Sequence, residues 1–442
     1  MAHTDGPTVS LAGAGADNAF RVSRGYLNYV IAILWVVMLL RFVDLQIVAV
    51  LLESIRKEFE VSDTLLGFMT GSAFAIFYGT LGVPVAWLAD RYNRRNIIVA
   101  AVGLWSAMTA VCGLAGSFTA LFVARMGVGV GEAGGQPPAY SLVADYVPPE
   151  KRSSVFAILN SAVPFGVFCG FIIGGWINQY YGWRAAFMVV GLPGVLLALL
   201  IWLTVREPPR GFSENRTSVG TVSLGEALGY LLRTRSYRHL VLATTIFTLG
   251  AIGSGIWIPS FFVRVHGMAS AEVAVWLAII YGGGGVLGAM LGGFLADRLV
   301  SRHGDPRWYA WLSAIAAAAI LPFSFFVYLW SNPITALLVH VGTTILMHSW
   351  MGPAYGTVQS LAGVTRRAMA AAINGLAVNL VALGLGPLIV GAASDCLNAR
   401  FGEDSLRYSI LTVVVICYSW AALHFFLAAR TLRQDLAAAE AT

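Results

Sequence analysis

The sequence predicts an all-α membrane protein with twelve transmembrane helices, and three observations lead to this fold class. Hydrophobic residues make up 58% of the 442-residue chain, charged residues only 11%, and the mean hydropathy is +0.74. Twelve apolar stretches meet or approach the ~20 residues that a helix needs to cross about 30 Å of hydrocarbon. A polar interruption divides these stretches into six and six. So apolar a composition excludes a soluble fold of this length.

The predicted spans follow one another with short polar connections. In the first half they cover residues 27–52, 65–89, 97–115, 119–144, 155–177 and 185–205. In the second half they cover residues 240–263, 273–296, 308–330, 335–361, 368–393 and 408–429. The chain therefore divides into a tail (1–26), a first group of helices (27–205), a linker (206–238), a second group (239–429) and a second tail (430–442). In the linker, Ser223 and Glu226 form a capping box that predicts a short amphipathic helix on the membrane surface.

Lysine and arginine are distributed unevenly between the loops on the two sides. With a cytoplasmic N-terminus, 20 of the 28 lie on the cytoplasmic side, 6 on the opposite side and two inside spans. Because positive charge collects in cytoplasmic loops, both termini are predicted to face the cytoplasm. The net charge of +6 then reflects this topology and contact with membrane lipids, and it does not indicate nucleic acid binding. We expect a monomer in the inner (plasma) membrane.

Four charged residues lie inside predicted spans, Arg41 and Asp44 in the first and Arg125 and Glu132 in the fourth. A charge near the bilayer centre costs roughly 2.5 to 3.5 kcal/mol on insertion scales, so such residues usually mark a transport path. At a rise of ~1.5 Å per residue, Asp44 is level with Arg125, and Arg41 lies nearer to Glu132. This predicts pairing between the two helices in that sense.

Two interpretations of these four residues remain open. In the first, Asp44 and Glu132 carry or relay a proton, while Arg41 and Arg125 alternate between pairing with them and holding an anionic substrate group. In the second, the four charges are structural ion pairs that fix the helices in place. The first is favoured, because buried ion pairs are weak stabilisers.

A short motif ends the second span of each half: L-A-D-R occurs at 88–91 and again at 295–298. The first copy continues as Y-N-R-R and resembles the loop motif G-x-x-x-D-R-x-G-R-R of the major facilitator superfamily, with Ala86 and Asn93 in place of its glycines. The resemblance implies two six-helix bundles around a central cavity lined by helices one, four, seven and ten. It also implies a gating role for Asp90, Arg91, Arg95, Asp297 and Arg298. The alternative is that these arginines anchor a loop to lipid headgroups.

Four further segments resemble the spinster-like branch of that superfamily: F-V-D-L-Q-I at 42–47, E-S-I-R-K-E-F at 53–59, R-M-G-V-G-V-G-E-A at 125–133 and E-P-P-R-G at 207–211. The branch usually has Asp-Arg in helix one. Here Leu45 follows Asp44, and Arg41, on the same helical face, is the candidate replacement. The resemblance implies a secondary transporter, most simply proton-coupled, for a lysolipid or sphingolipid-like amphiphile or an organic anion. Small carboxylates or sugar acids are the alternative substrates, and a non-transporting receptor is the alternative function.

The remaining cavity wall is predicted to be aromatic and weakly polar, which suits an amphiphile with an apolar tail. Besides Arg41 and Arg125, the candidate substrate-binding residues are Gln46, Asn160, Trp257, Phe261, His348, Tyr355 and Asn374, with His340 and Trp350 nearby in the tenth span. The alternative for each aromatic residue is that it packs between helices and does not contact the substrate. Two interpretations of His340 and His348 remain open. Each can titrate near neutrality, as histidine ordinarily does, or each is a structural residue held by a hydrogen bond.

Several other classes of function are excluded or unsupported. The chain has only two lysines, Lys57 and Lys151, and neither follows a glycine, so it contains no Walker loop. The glycine runs at 127–131 and 282–285 lie inside apolar spans and favour close helix approach. The four cysteines lack metal-ligand spacing, and no nucleophile stands beside a base. We therefore expect neither an enzyme nor a bound cofactor or metal.

Overall fold

Helices account for nearly all of the chain in this computed structural model, which describes residues 22–209 and 224–440; no strand occurs within these two ranges. The N-terminal half, defined as residues 22–209, contains α1 (Arg24–Phe59), α2 (Asp63–Thr70), α3 (Ser72–Arg91), α4 (Arg94–Cys112), α5 (Phe118–Glu132), α6 (Gln136–Tyr146) and α7 (Pro149–Thr204). The C-terminal half, defined as residues 224–440, begins with α8 (Leu224–Arg233), α9 (Arg235–His266), α10 (Ser270–Ile279), α11 (Gly285–His303) and α12 (Trp308–Leu329). It continues with α13 (Pro333–Ser349), α14 (Met351–Leu361), α15 (Gly363–Ala377), α16 (Gly384–Phe401) and α17 (Ser405–Glu440).

Each of the twelve predicted spans overlaps one or two of these helices, and the third span extends three residues past the end of α4. Nine stretches of the described chain are long and apolar enough to cross a membrane, and two of them, of 51 and 71 residues, are long enough for two passes. The fourth predicted span corresponds to α5 and α6, which residues 133–135 separate. Within α7, Gly182 has φ +81°, which interrupts the helix between the fifth and sixth predicted spans. A glycine meets this need because it adopts positive φ without steric cost.

Local sequence explains where many helices begin and end. Ser23, Ser62, Asn93, Ser117 and Asn332 each accept a hydrogen bond at a helix N-terminus from a backbone N–H three residues on. Such caps satisfy donors that the first turn leaves free. Two π-helical segments, Ile280–Gly284 and Val378–Leu383, join α10 to α11 and α15 to α16. π-helical segments are rare in proteins, and they are frequently found at functional sites.

The linker helix α8 packs against α9 and α15. It buries Ala227 and Leu231 and leaves Leu228 and Leu232 exposed on its other face. Such an exposed apolar face suits a helix at the membrane surface. Ser223, its predicted cap, lies outside the described residues.

The two halves meet most closely where α2 contacts α16, α1 contacts α9 and α7 contacts α10. Beside the first contact, Ser72 Oγ at the start of α3 donates a hydrogen bond of 2.8 Å to the carbonyl oxygen of Gly384, the first residue of α16. All three contacts lie at the helix ends that carry Glu53, Asp63 and Arg264. We call these ends the outer end, because the distribution of positive charge predicts that they face the outside of the membrane.

Candidate functional site

Two helices position the four charged residues inside the membrane domain. α1 carries Arg41 and Asp44, and α5 carries Arg125 and Glu132. Three- and seven-residue spacings place each pair of side chains on one face of its helix. All four are buried, with between 0% and 5% of their surface exposed.

The predicted pairing between the helices is confirmed. Arg41 Nε donates to Glu132 Oε2 at 3.2 Å, and Arg125 Nη1 donates to Asp44 Oδ2 at 3.1 Å. The carboxyl groups of Asp44 and Glu132 also lie close enough to interact with each other. The four residues therefore form one charge cluster of two carboxylates and two guanidinium groups.

Three neutral side chains complete the cluster, and sequence reasoning did not identify them. Gln136 Oε1 accepts from Arg41 Nη1 at 3.0 Å, and the Tyr78 hydroxyl accepts from Nη2 at 2.9 Å. Thr109 Oγ1 donates to Asp44 Oδ1 at 2.6 Å. The only signal for them in the sequence is that each is a polar residue inside a predicted span.

The two arginines differ in their free hydrogen-bonding capacity. Arg41 uses Nε, Nη1 and Nη2 within the cluster. Arg125 Nε and Glu132 Oε1, by contrast, have no hydrogen-bond partner in the described part of the chain. A buried polar atom without a partner costs roughly 1–3 kcal/mol, so these two atoms mark where a ligand or a proton would be stabilised.

A cavity of about 480 Å³ lies between the halves, and residues of both halves line it. Its polar lining residues are Gln46, Thr70, Arg125, Tyr281 and His348, and apolar residues such as Phe42, Phe74 and Met347 form the rest of the wall. His348 Nδ1 lies 2.9 Å from the Thr344 carbonyl oxygen. Since a carbonyl only accepts, Nδ1 carries the hydrogen, and Nε2 of the neutral ring is an acceptor.

Three of the predicted substrate-binding residues, Gln46, Arg125 and His348, line this cavity, and Arg41 lies behind its wall in the charge cluster. Tyr355 and Asn374 line a separate cavity of about 340 Å³, where Asn374 also accepts a hydrogen bond from Thr244. His340 is buried beside Tyr281, and Trp350 packs against Tyr355.

Three other predicted residues lie away from the cavity wall, which corrects the expectation that they line it. Trp257 is fully buried and donates to the Pro387 carbonyl oxygen at 2.9 Å. Phe261 is fully buried against Phe262 and Tyr328. Asn160 is exposed, and its Oδ1 accepts from the Tyr140 hydroxyl. Each of the three side chains makes its described contacts within its own half. None of them is placed to contact a ligand in this cavity.

The predicted gating residues occupy the end opposite to the outer end. Arg91 lies over the Trp87 ring at 3.9 Å, Arg95 donates to Asn96, and Asp297 accepts from Tyr309. Arg298 is exposed, and the side chain of Asp90 lies outside the described part. The contacts described for these residues stay within one half.

Arg94 is a buried arginine at this end, and sequence reasoning did not identify it as a site residue. Its Nε donates to Glu207 Oε1 at 2.7 Å, and its Nη1 donates to the Ser141 carbonyl oxygen at 3.1 Å and pairs with Asp145. Arg94 belongs to the loop motif after the second span, and Glu207 belongs to the E-P-P-R-G segment. A contact between these two motifs could therefore have been proposed from the sequence. Arg94 fastens the start of the linker to α4 and α6.

The outer end carries an ionic latch, which we define as Arg264 of the C-terminal half with Glu53 and Asp63 of the N-terminal half. Arg264 donates to both carboxylates, and its side chain is only 4% exposed. In a second contact between the halves, the acceptor belongs to the C-terminal half: the Asp395 carboxylate accepts hydrogen bonds from the backbone N–H groups of Asp63 and Thr64. This end of the cavity is therefore closed by bonds between the halves.

Comparisons with known proteins agree with this architecture. The family model described as Major Facilitator Superfamily matches residues 34–387. An MFS-type efflux pump of Mycolicibacterium smegmatis is 32% identical over 408 residues, which cover 92% of this chain and 93% of the pump. Protein spinster homolog 1 of Homo sapiens is 29% identical over 420 residues, covering 89% of this chain and 78% of that protein.

A solved structure gives the same result. The crystal structure of a bacterial homologue of the human lysosomal transporter spinster, in an inward-facing and unoccupied conformation, matches with a TM-score of 0.86. Its sequence is 30% identical, and the match covers 94% of this chain and 99% of that chain.

Proposed function

Because the chain belongs to the major facilitator superfamily and to its spinster-like branch, we propose that it is a proton-coupled secondary transporter of an anionic amphiphile. The proposed substrates are lysolipid or sphingolipid-like molecules, moved by alternating access. Both termini are proposed to face the cytoplasm, as the arginine distribution indicates.

The composition of the cavity wall carries this proposal. Counting the residues that the structure describes, Arg125 is the one charged side chain that lines the cavity, and its Nε is unpartnered. Most of the remaining wall is apolar. Such a wall favours a ligand with one anionic group and an apolar tail, because a guanidinium binds phosphate or carboxylate strongly and the tail buries apolar surface. A sugar acid is less suitable, because many of its hydroxyls would face groups that cannot hydrogen-bond.

The charge cluster supports proton coupling. Asp44 holds Arg125 through one nitrogen, so an anionic substrate group on Arg125 competes with Asp44 for the same guanidinium. An acid that loses its cationic partner in a low-dielectric site is neutralised most easily by a proton. Glu132 lies next to Asp44, and its free Oε1 is suited to pass that proton on. Substrate binding and protonation are thereby linked.

The ionic latch supports alternating access. The outer end is closed by Arg264, while the contacts described for Arg91, Arg95 and Asp297 stay within one half. We assign this arrangement to an inward-facing state. In the opposite state the latch would separate and the motif residues at the cytoplasmic end would join the halves.

The test is transport by the purified protein in vesicles, with fluorescent lysophosphatidic acid as the probe and a pH-sensitive dye inside. We expect a pH gradient to drive probe accumulation, and unlabelled lysophosphatidic acid, not glucarate, to compete. Asp44→Asn and Glu132→Gln should abolish proton-driven accumulation while sparing exchange. Arg125→Gln should weaken probe binding roughly tenfold or more, because hydrogen bonds to charged groups contribute about 1.5–3 kcal/mol.

Arg302→Gln is the matched control, because Arg302 is exposed at the cytoplasmic end and lies outside the cavity wall. It should transport like the unchanged protein. Accumulation that persists in both carboxyl variants rejects the proton assignment. Uptake of glucarate instead of the probe supports the sugar-acid alternative, and uptake of neither supports a non-transporting receptor.

A further inference from the structure

Tyr281 is a cavity-lining residue that belongs to a π-helical segment. It lies in the Ile280–Gly284 segment, between α10 and α11, and contributes one of the few polar side chains of the cavity wall. π-helical turns inside α-helices occur frequently at functional sites. The charge cluster lies in the other half of the protein, so Tyr281 has no part in the proton pathway described above.

The Tyr281 ring lies where the cavity ends toward the outer end. It stacks on Phe171 of α7, with ring centroids 5.7 Å apart and planes inclined by 16°. On α7, Pro164 and Val167 precede this contact and line the cavity. Beyond it α7 and α10 touch directly: Asn178 Nδ2 donates to Ser270 Oγ at 3.2 Å. The stacked rings thus form the boundary between the cavity and the closed interface.

The Tyr281 hydroxyl is held by a buried histidine. It lies 3.3 Å from His340 Nε2, and His340 is 1% exposed. His340 Nδ1 has no partner among residues 22–209 and 224–440, so this ring makes a single side-chain hydrogen bond. A phenol has one hydrogen and two lone pairs, and one bond to His340 leaves further capacity for a polar atom in the cavity.

We propose that Tyr281 couples substrate binding to the opening of the outer end. Its ring seals the cavity by stacking on Phe171, its hydroxyl forms a hydrogen bond with the substrate headgroup, and His340 acts as a positioning residue for that hydroxyl. The hydroxyl part of this inference rests on the proposed transport of an anionic amphiphile. A substrate bound between Arg125 and Tyr281 then contacts both halves at once, and separation of the outer end must break the Tyr281–Phe171 stack.

The seal is tested without any substrate. In a variant without the four cysteines, Val167→Cys places a reporter thiol on the cavity wall, and a membrane-impermeant thiol reagent is applied from the outer end. Tyr281→Ala should raise the labelling rate severalfold, because the ring is gone. Tyr281→Phe keeps the ring and should label at the unchanged rate. Equal labelling rates for the alanine variant and the unchanged protein would contradict the proposal that the Tyr281 ring closes the cavity toward the outer end.

The hydroxyl is tested by uptake of the lysophosphatidic acid probe. Tyr281→Phe should raise KM roughly tenfold or more, the effect of losing one hydrogen bond to a charged headgroup, with little change in the maximal rate. The matched control is Tyr328→Phe, because Tyr328 is buried in α12 and does not line the cavity. It should leave KM unchanged.

His340 provides a second measurement. His340→Leu should raise KM as Tyr281→Phe does, whereas His340→Gln retains a polar side chain near the hydroxyl and should restore most of the affinity. An unchanged KM in Tyr281→Phe contradicts substrate contact. Absence of probe uptake by the unchanged protein contradicts the proposed function instead, and the labelling rates still decide whether Tyr281 seals the cavity.

Discussion

Arg264 of α9 donates two hydrogen bonds to Asp63 at the start of α2, with Nη1 2.7 Å from Oδ2 and Nη2 2.9 Å from Oδ1. The same guanidinium reaches Glu53 Oε2 through Nε and Nη2. The arginine belongs to one half of the protein and both carboxylates to the other. Closure of the outer end therefore depends on a buried charge that the two halves share, and any motion that separates them exposes it.

Arg264→Gln should weaken closure of the outer end. The substitution leaves two carboxylates without their shared cation, and breaking a buried ion pair costs about 3–5 kcal/mol. We expect faster outside labelling of the Val167→Cys reporter and a lower unfolding temperature. Arg400→Gln, at an exposed site of the same end, is the control and should match the unchanged protein. An unaltered labelling rate in Arg264→Gln would contradict the latch.

Gly67→Ala should also disfavour the closed outer end, by a steric mechanism. A Cβ at this position of α2 would lie 2.4 Å from the Pro387 carbonyl oxygen of α16, which is too close for non-bonded atoms. Because the clash is between the halves, each half should still fold. We expect faster outside labelling of the reporter and slower transport.

Gly82→Ala is the matched control, since a Cβ there meets nothing within 4 Å. Alanine in a helix interior is favoured over glycine by roughly 0.5–1 kcal/mol, so this variant should be as stable as the unchanged protein or slightly more so. If Gly67→Ala behaves like Gly82→Ala, close approach of α2 and α16 is not required for closure.

The spans and the two buried ion pairs are predictable from the sequence because both follow from regular helix geometry. An apolar stretch of sufficient length identifies a span without any knowledge of its neighbours. The fixed rise per residue likewise sets the relative depths of Asp44 and Arg125, and of Arg41 and Glu132. Charges inside lipid must be paired, so equal depth was enough to identify the partners.

Contacts that depend on how helices face one another are not predictable in this way. Trp257 and Phe261 occupy a helix that the superfamily architecture assigns to the cavity, but helix rotation turns both side chains into the C-terminal half. Arg264 illustrates the same limit: its partners Asp63 and Glu53 are 201 and 211 residues away in the sequence. Counted as a loop charge, it indicates topology alone.

Arg94→Gln should destabilise the end of the N-terminal half that lies opposite to the outer end. The substitution removes a buried cation that pairs with both Asp145 and Glu207, and breaking a buried ion pair costs about 3–5 kcal/mol. The unfolding temperature in detergent measures this loss. Arg91→Gln is the control, because Arg91 is exposed and its described contact is with the Trp87 ring. An Arg94→Gln protein that unfolds at the unchanged temperature would show that the linker needs no such anchor.

Asp305→Asn should lower stability in a pH-dependent manner. Asp305 lies in the loop between α11 and α12, and it accepts hydrogen bonds from Arg307 and from Arg433 of α17. Hydrogen bonds from Arg307, with a smaller contribution from Arg433, lower the pKa of this carboxyl from 3.8 to about 2. A group whose pKa is lower in the folded state stabilises that state above its unfolded pKa, and the contribution disappears as the pH falls through the folded pKa.

The stabilisation by Asp305 should therefore be complete above about pH 4, where the unfolded carboxyl is also ionised, and it should fall away toward pH 2. The measurement is the difference in unfolding temperature between the unchanged protein and Asp305→Asn across this range. Arg433→Gln is the companion variant, because it removes one donor and should reduce the difference without abolishing it. A difference that is the same at pH 7 and near pH 2 would mean that the charge of Asp305 does not fasten α17 to the loop.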